Sequence, residues 1–231
     1  MLLQHRLPMT DLTRRAMGML TEEEKNALLE SVQRVRDVAV RALRQLPNSS
    51  HAIAFVANLH RGVDLVAMRA AKAGPTPECR AGCAYCCRVR VEATEPEIFR
   101  ISQMLGVLPP VQFSALVDRL RSHLAQAGAV QGQERQDCPF LENKLCTIYE
   151  VRPATCRKAH SLSVRKCEML ALELPQNLYL LLHSEALMLG TAEAYRELNL
   201  PASPHELVAA VLTALAEPGA KERWYNGQSL L

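Results

Sequence analysis

Apolar residues recur at alternating steps of four and three early in the chain, at Leu28, Val32, Val35, Ala39, Ala42 and Leu46. That spacing lays one stripe along one side of a helix. Thr21 and Glu24 have the spacing of a capping box at its start, and Pro47 stops it. Residues 48–50 supply caps for a second helix, whose stripe of Ile53, Val56, His60, Val63, Ala67 and Ala70 runs to the breaker Gly74-Pro75. The pattern predicts a helical hairpin over residues 21–73. His60 lies within the apolar stripe and far in sequence from every cysteine, so it reads as a hydrogen-bonded core histidine rather than a ligand.

Further along, residues 89–92 alternate briefly, as a short strand or an extended exit from the segment before them. A helix is predicted from Thr94, with Pro96 in its first turn, Glu97 at its positive end and Ile98, Ile101 and Leu105 on its buried face. Pro109 and Pro110 interrupt it, another helix runs to Ala127, and residues 128–136 are polar and without period, as a loop would be. Leu178, Leu182 and Leu189 mark a buried helix, and Ser203, Pro204 and Glu206 form a capping signal for a last helix ending near Ala216. The fold expected is mostly α, a single-domain helical bundle over residues 1–231 with two cysteine-rich metal-binding loops. Its parts are the hairpin over 21–73, a cysteine-cluster region over 79–167 and C-terminal helices over 168–216.

Composition agrees, since 35 Leu and 30 Ala stand against 21 Val plus Ile and only 4% aromatics, a balance that favours helices over strands. The net charge of +3 arises from 27 basic and 24 acidic residues mixed along the chain, so no nucleic-acid partner is implied. No apolar run approaches the ~18 residues of a membrane span. His5, Arg6, Asp11 and Arg14 interrupt the stretch where a signal peptide needs an apolar core. These features predict a cytoplasmic protein with no membrane partner, in which cysteines stay reduced and short spacings point to metal before disulfides.

The eight cysteines fall into two groups of four, Cys79, Cys83, Cys86 and Cys87, then Cys138, Cys146, Cys156 and Cys167. Four within nine residues is not the distribution of packed small apolar side chains, whereas thiolates are soft, charged ligands for zinc or iron, and short spacers let them converge. Structural zinc sites usually present two C-x2-C knuckles, but here Cys83 and Cys86 are the one such pair. Cys79, Cys83 and Cys86 give C-x3-C-x2-C, and Cys138 precedes Pro139 as in some ferredoxin ligands. The expected cofactor is an iron–sulfur cluster, of the 4Fe-4S type, with zinc as the alternative. Adjacent side chains such as Cys86 and Cys87 close poorly on one tetrahedral ion, so they are expected to serve different iron atoms or different sites and to interlock the two segments. Tyr149, Arg152 and Arg157 lie among the second group, where cationic donors stabilise a negatively charged cluster. Glu97 is a weaker candidate for a site carboxylate.

The run C-x3-C-x2-C-C, followed about fifty residues later by CPFL, a further Cys, IYEVRP and CR, resembles the YkgJ-type cysteine-cluster family, whose members are described as zinc- or iron-chelating. The resemblance implies metal ligation by Cys79, Cys83, Cys86, Cys87, Cys138, Cys146 and Cys156, with Cys167 less regular in the pattern. The flagellin lysine N-methylase carries a similar cluster, so by analogy the resemblance also admits a cluster-dependent protein-modifying enzyme with a protein substrate. Other chemistry fits less well. C-x3-C-x2-C is also the spacing of radical S-adenosylmethionine enzymes, but those need a barrel of alternating strands and helices. A redox dithiol at Cys83 and Cys86 lacks a surrounding strand–helix–strand pattern, and no G-x-G-x-x-G is present for an ordinary methyltransferase. Cys156 with His160 four residues on has the spacing of a nucleophile and base on one helix face.

Overall fold

A computed structural model describes residues 18, 20–129, 136–171 and 173–230. His5, Arg6, Asp11, Arg14 and most of the loop expected over 128–136 lie outside them. Helix α1 spans Glu22–Gln45 and opens with the expected box, in which Thr21 Oγ1 accepts from the Glu24 N–H at 3.2 Å and Glu24 accepts from the Thr21 N–H at 2.8 Å. Helix α2 spans Ser49–Ala73, capped by Asn48, whose side chain accepts from the His51 N–H at 2.8 Å. Its buried face includes Ile53, Val56, His60, Val63 and Ala70, the stripe read from the sequence.

The hairpin closes differently from the expectation. Helix α7, Leu178–Glu197, packs against both α1 and α2, and these two touch each other far less than either touches α7. Leu28 and Val32 of α1 meet Ala186 and Leu189 of α7, while Val66 and Ala70 of α2 meet Leu180. The α7 surface is apolar on more than one side, so it offers each N-terminal helix a better partner than they offer one another. Leu189 is buried as expected, but Leu178 is exposed at the helix start and Leu182 is half-buried. Gly190 permits the close approach, since a Cβ there would stand 2.6 Å from the Val32 carbonyl oxygen and 2.7 Å from Val35 Cβ. Gly190→Ala is therefore expected to destabilise the protein by about 1–3 kcal/mol despite the ~1 kcal/mol gain in helix propensity, because a backbone oxygen cannot rotate away. A lowered urea midpoint with unchanged m-value checks this.

Strand β1, Glu92–Thr94, leads into α3, Glu95–Leu105, and pairs antiparallel with β4, Pro204–Glu206, in the register Ala93 to His205. The strand lies slightly later than the 89–92 alternation suggested, because its partner edge and not local pattern sets it. Helix α4 spans Pro110–Ala129, followed after residue 135 by the small hairpin of β2, Leu141–Glu142, and β3, Leu145–Cys146. Two five-residue helices come next, α5, Ala154–Lys158, and α6, Val164–Glu168. Helix α8, Leu207–Ala216, starts later than the Ser203–Pro204 signal implied, capped by Glu206, which accepts from the Val208 and Ala209 N–H groups. Helix α9, Ala220–Tyr225, closes the chain. The main core joins α3, α4, α7 and α8 around Ile98, Leu120, Phe140, Tyr195 and Trp224. The protein is mostly α, with two small antiparallel sheets among the described residues, and no described helix is long and apolar enough to cross a membrane.

Candidate metal centre

The first cysteine segment turns at Gly82, whose φ of +84° is the left-handed conformation glycine adopts without strain, and the Cys83 N–H returns to the Arg80 carbonyl at 2.9 Å. A 3-10 turn, Tyr85–Arg88, then carries Cys86 and Cys87. The segment is tied to the stretch around α6. Glu78 donates its N–H to the Ser161 carbonyl at 3.0 Å and accepts from the Val164 N–H at 2.6 Å, Cys79 Sγ accepts from the Ser161 N–H at 3.4 Å, and the Tyr85 hydroxyl donates to Glu168 at 2.8 Å. These bonds place the Cys79–Cys86 loop against the helix that bears Cys167.

The second segment meets the first through its backbone. The Cys138 N–H donates to the Cys87 carbonyl at 2.7 Å, and Arg88 beside it pairs with Asp137 at 2.7 Å. From Cys138 the chain enters the β2–β3 hairpin, turning through Asn143 and Lys144 at positive φ, with Leu141 opposite Cys146. Phe140 is fully buried and fixes the hairpin to the core, with Cys138 and Cys146 packed on the same cluster. Cys156 follows on α5, whose first N–H, that of Ala154, donates to Glu97 at 2.7 Å. The two segments thus meet at Cys87–Arg88 and Asp137–Cys138.

All eight cysteines are free thiols. Burial pushes the Cys79, Cys138, Cys146 and Cys156 thiols upward. Cys86 is pushed up most by its hydrogen bond to Cys87 and then by burial, and the same bond holds Cys87 below the ordinary thiol range. Arg152 favours the thiolates of Cys86 and Cys146, and Arg157 that of Cys146. Most of the raised thiols therefore keep their protons at neutral pH, and a soft cation that binds them must displace those protons. Among the described residues no three Cys, His, Asp or Glu side chains form a ready ion-holding group. The donor set nevertheless suits zinc or iron, because it is all sulfur, gathered from both segments, with guanidinium groups beside it to offset thiolate charge.

The arginines are themselves held in place. The Arg152 guanidinium lies 3.6 Å over the Tyr149 ring and donates to the Tyr149 carbonyl at 2.9 Å. Arg157 pairs with Asp64 of α2 at 2.7 Å and donates to the Glu150 carbonyl at 2.5 Å and the Arg152 carbonyl at 3.1 Å. Nothing in the sequence singles out Asp64, which lies 93 residues from its partner. Glu78 and Ser161 are likewise unmarked by spacing or by any cysteine pattern beyond Glu78's adjacency to Cys79.

Two other candidates are engaged elsewhere. Glu97 is committed to structural hydrogen bonds. It is 4% exposed and accepts from the Thr94 N–H, the Thr94 hydroxyl, the Ala154 N–H and His60 Nε2, so it joins α3, α2 and α5. His60 is accordingly the hydrogen-bonded core histidine the stripe implied. His160 cannot act as a base toward Cys156 in this arrangement, because Nδ1 donates to the Lys158 carbonyl at 2.7 Å and Nε2 accepts from the Asn177 N–H at 2.8 Å. Burial also pushes its imidazole toward the neutral form. A cavity of about 530 Å³ lies elsewhere, between α3 and α4 on one side and α8 and α9 on the other, and neither a cysteine nor Glu97, Tyr149, Arg152 or His160 lines it.

Residues 78–174 match the family model CxxCxxCC, whose description reads "Putative zinc- or iron-chelating domain". This segment is similar to that family, and it covers less than half of the chain. It runs from the residue before Cys79 to beyond α6 and contains all eight cysteines. Helices α1 and α2, and the chain from α7 onward, lie outside it. No curated protein and no solved structure matches the chain. Within the matched segment, the backbone bond from Cys138 to Cys87 joins the first cysteine group to the second.

Proposed function

We propose that the segment similar to the CxxCxxCC family holds an iron–sulfur cluster through its cysteines, in a reducing cytoplasm where thiols escape oxidation. The observation that carries this reading is the Cys138 to Cys87 backbone bond, which joins two cysteine segments otherwise fifty residues apart in the chain. Cys79, Cys83, Cys86 and Cys87 from the first segment and Cys138, Cys146, Cys156 and Cys167 from the second are the ligands proposed. Iron–sulfur is favoured over zinc by the C-x3-C-x2-C spacing, by Cys138-Pro139 and by the two guanidiniums, which offset the net negative charge of thiolates and sulfides together. When bound, such a cluster supplies electron transfer or a structural cross-link. The chain's own residues present sulfur, fix the two arginines and, through Phe140 and Ala154, anchor the ligand-bearing segments to the core.

The engagement of Glu97 and His160 in backbone and helix bonds supports metal holding over catalysis by those side chains. Elemental analysis of protein purified without oxygen tests the reading. About one or more metal ions per folded chain is expected, and a folded chain with less would contradict it.

A further inference from the structure

We propose that the face around the exposed Cys79 and Cys86 docks an acidic protein partner through a set of unpaired cations, Arg80, Arg90, Lys144, Arg165 and Lys166. The surface exists whether or not the thiols hold metal, so it goes beyond the metal-holding reading.

Cations follow the cysteines along the chain. Arg80, Arg88 and Arg157 come directly after Cys79, Cys87 and Cys156, Lys166 comes directly before Cys167, and Lys144 is two residues from Cys146. Tertiary bonds gather these stretches. The Tyr85 hydroxyl bond to Glu168 and the Val164 N–H bond to Glu78 hold the first cysteine loop against α6, which bears Arg165 and Lys166. The Cys138 N–H bond to Cys87 and the pair of Arg88 with Asp137 hold the end of that loop against the second segment, whose hairpin turns through Lys144.

The charge here is not balanced. Over residues 78–90 and 136–171 the carboxylates of Glu78, Asp137, Glu142 and Glu168 are engaged by Val164, Arg88, Arg119 and Tyr85, which leaves Glu150 among the described residues. Arg152 and Arg157 are held by Asp64, and Lys158 by Glu185. Arg80, Arg90, Lys144, Arg165 and Lys166 are all exposed, and none forms an ion pair among the described residues. Arg152 favours the thiolates of Cys86 and Cys146, and Arg157 that of Cys146, so the five exposed cations are left to solvent or to a partner's carboxylates. Complementary charge of this kind steers association and fixes register.

Exposed apolar side chains lie among the same residues. Val89, Leu145, Tyr149, Met169 and Leu170 are 43–61% exposed, and each is within three residues of a cysteine. A cationic surface alone suits any polyanion, whereas aliphatic and methionine side chains between the charges suit the apolar part of a protein interface. A nucleic-acid strand would instead need open aromatic faces on which to stack. The rings in these stretches do not offer them. Phe140 is fully buried, Tyr85 is tied to Glu168, and the Arg152 guanidinium covers Tyr149 at 3.6 Å.

The test is fluorescence anisotropy on the full chain, purified without oxygen, with two labelled probes: a glutamate-rich peptide with interspersed leucines, and an oligothymidylate of equal charge. The peptide is expected to bind more tightly than the oligothymidylate, and to weaken about tenfold as ionic strength rises from ~0.01 to ~0.15 M. Arg80→Glu/Lys166→Glu should weaken it by about tenfold or more at low salt. Leu145→Ser/Met169→Ser should weaken it as well, while Arg34→Glu, an exposed cation of α1, should leave it unchanged. Absence of peptide binding, equal binding by wild type and folded Arg80→Glu/Lys166→Glu, or an oligothymidylate that binds as tightly as the peptide would each overturn the proposal. The wild-type comparison of probes and salts needs no variant to fold. Metal analysis on the same sample separates the two readings. Peptide binding by a folded, metal-free chain would keep the docking surface and remove metal holding, and a metal-loaded chain that ignores the peptide would do the reverse.

Discussion

Replacing Glu97 with alanine is expected to cost about 3–5 kcal/mol, the scale for removing one partner from a buried hydrogen-bonded charge. Its carboxylate accepts from Thr94 N–H at 3.0 Å, Thr94 Oγ1 at 2.9 Å, Ala154 N–H at 2.7 Å and His60 Nε2 at 3.2 Å. Truncation would leave those donors buried without a partner and release the start of α5, so stability should fall, and with it the metal content if Cys156 is a ligand as proposed. The carboxyl also sets a pH dependence. Burial pushes it up, but the hydrogen bond and charge of His60, with the N–H groups of Ala154 and Thr94, more than offset this and hold it below the ordinary carboxylate range. A depressed folded-state value means the stabilisation is fully present above the unfolded-state value, near the ordinary carboxylate pKa, and is lost as pH falls through the lower folded-state one. Guanidinium denaturation across the acid range should show wild-type stability falling there, and a flatter profile in Glu97→Gln, which keeps an acceptor but does not ionise.

Chelation is expected to loosen the domain locally while most of the helical signal survives. Coordination can contribute ~10 kcal/mol or more, comparable with the ~5–15 kcal/mol net stability of a whole domain, so the loss will be large where the metal acts. The packing of α1 and α2 on α7, through Leu28, Val32, Ala186 and Leu189 and through Val66, Ala70 and Leu180, includes no cysteine. Residues 78–88 and 161–171 carry few buried apolar side chains and should open first, becoming sensitive to protease and to hydrogen exchange. The 138–151 stretch should hold longer, because Phe140 and Ile148 sit in the main core. Cooperative unfolding of the whole chain on chelation would contradict this, and unchanged exchange throughout would show a site preformed without metal.

The N-terminal helices are legible in the sequence because their stripes, caps and breakers are local. Thr21 with Glu24 and Asn48 with His51 make their bonds within three residues, and Pro47 and Gly74-Pro75 punctuate them. What decides how those helices pack is not local. The room for α7 against α1 depends on Gly190 meeting Val32, nearly 160 residues away, and the strand at Glu92–Thr94 exists because residues 204–206 lie beside it. The site divides the same way. Cysteine spacing marks the proposed ligands and the arginines among them, whereas the backbone bond from Cys138 to Cys87 that joins the two groups is tertiary. The role of Glu97 is only half readable. Its capping box with Thr94 follows from spacing, whereas its reach to Ala154 and His60 is tertiary, and so a buried structural carboxylate can be mistaken for a site residue. His160 likewise has the spacing of a base for Cys156, and only the positions of Lys158 and Asn177 show both nitrogens engaged.

The most direct measurement is the visible absorption spectrum of protein purified anaerobically, taken with iron, sulfide and zinc analysis on the same sample. The expected result is a brown protein with a broad sulfur-to-iron charge-transfer band and iron and acid-labile sulfide in comparable amounts. A colourless, folded protein loaded with zinc would contradict the iron–sulfur reading, and a folded protein with neither metal would contradict metal holding by these cysteines altogether.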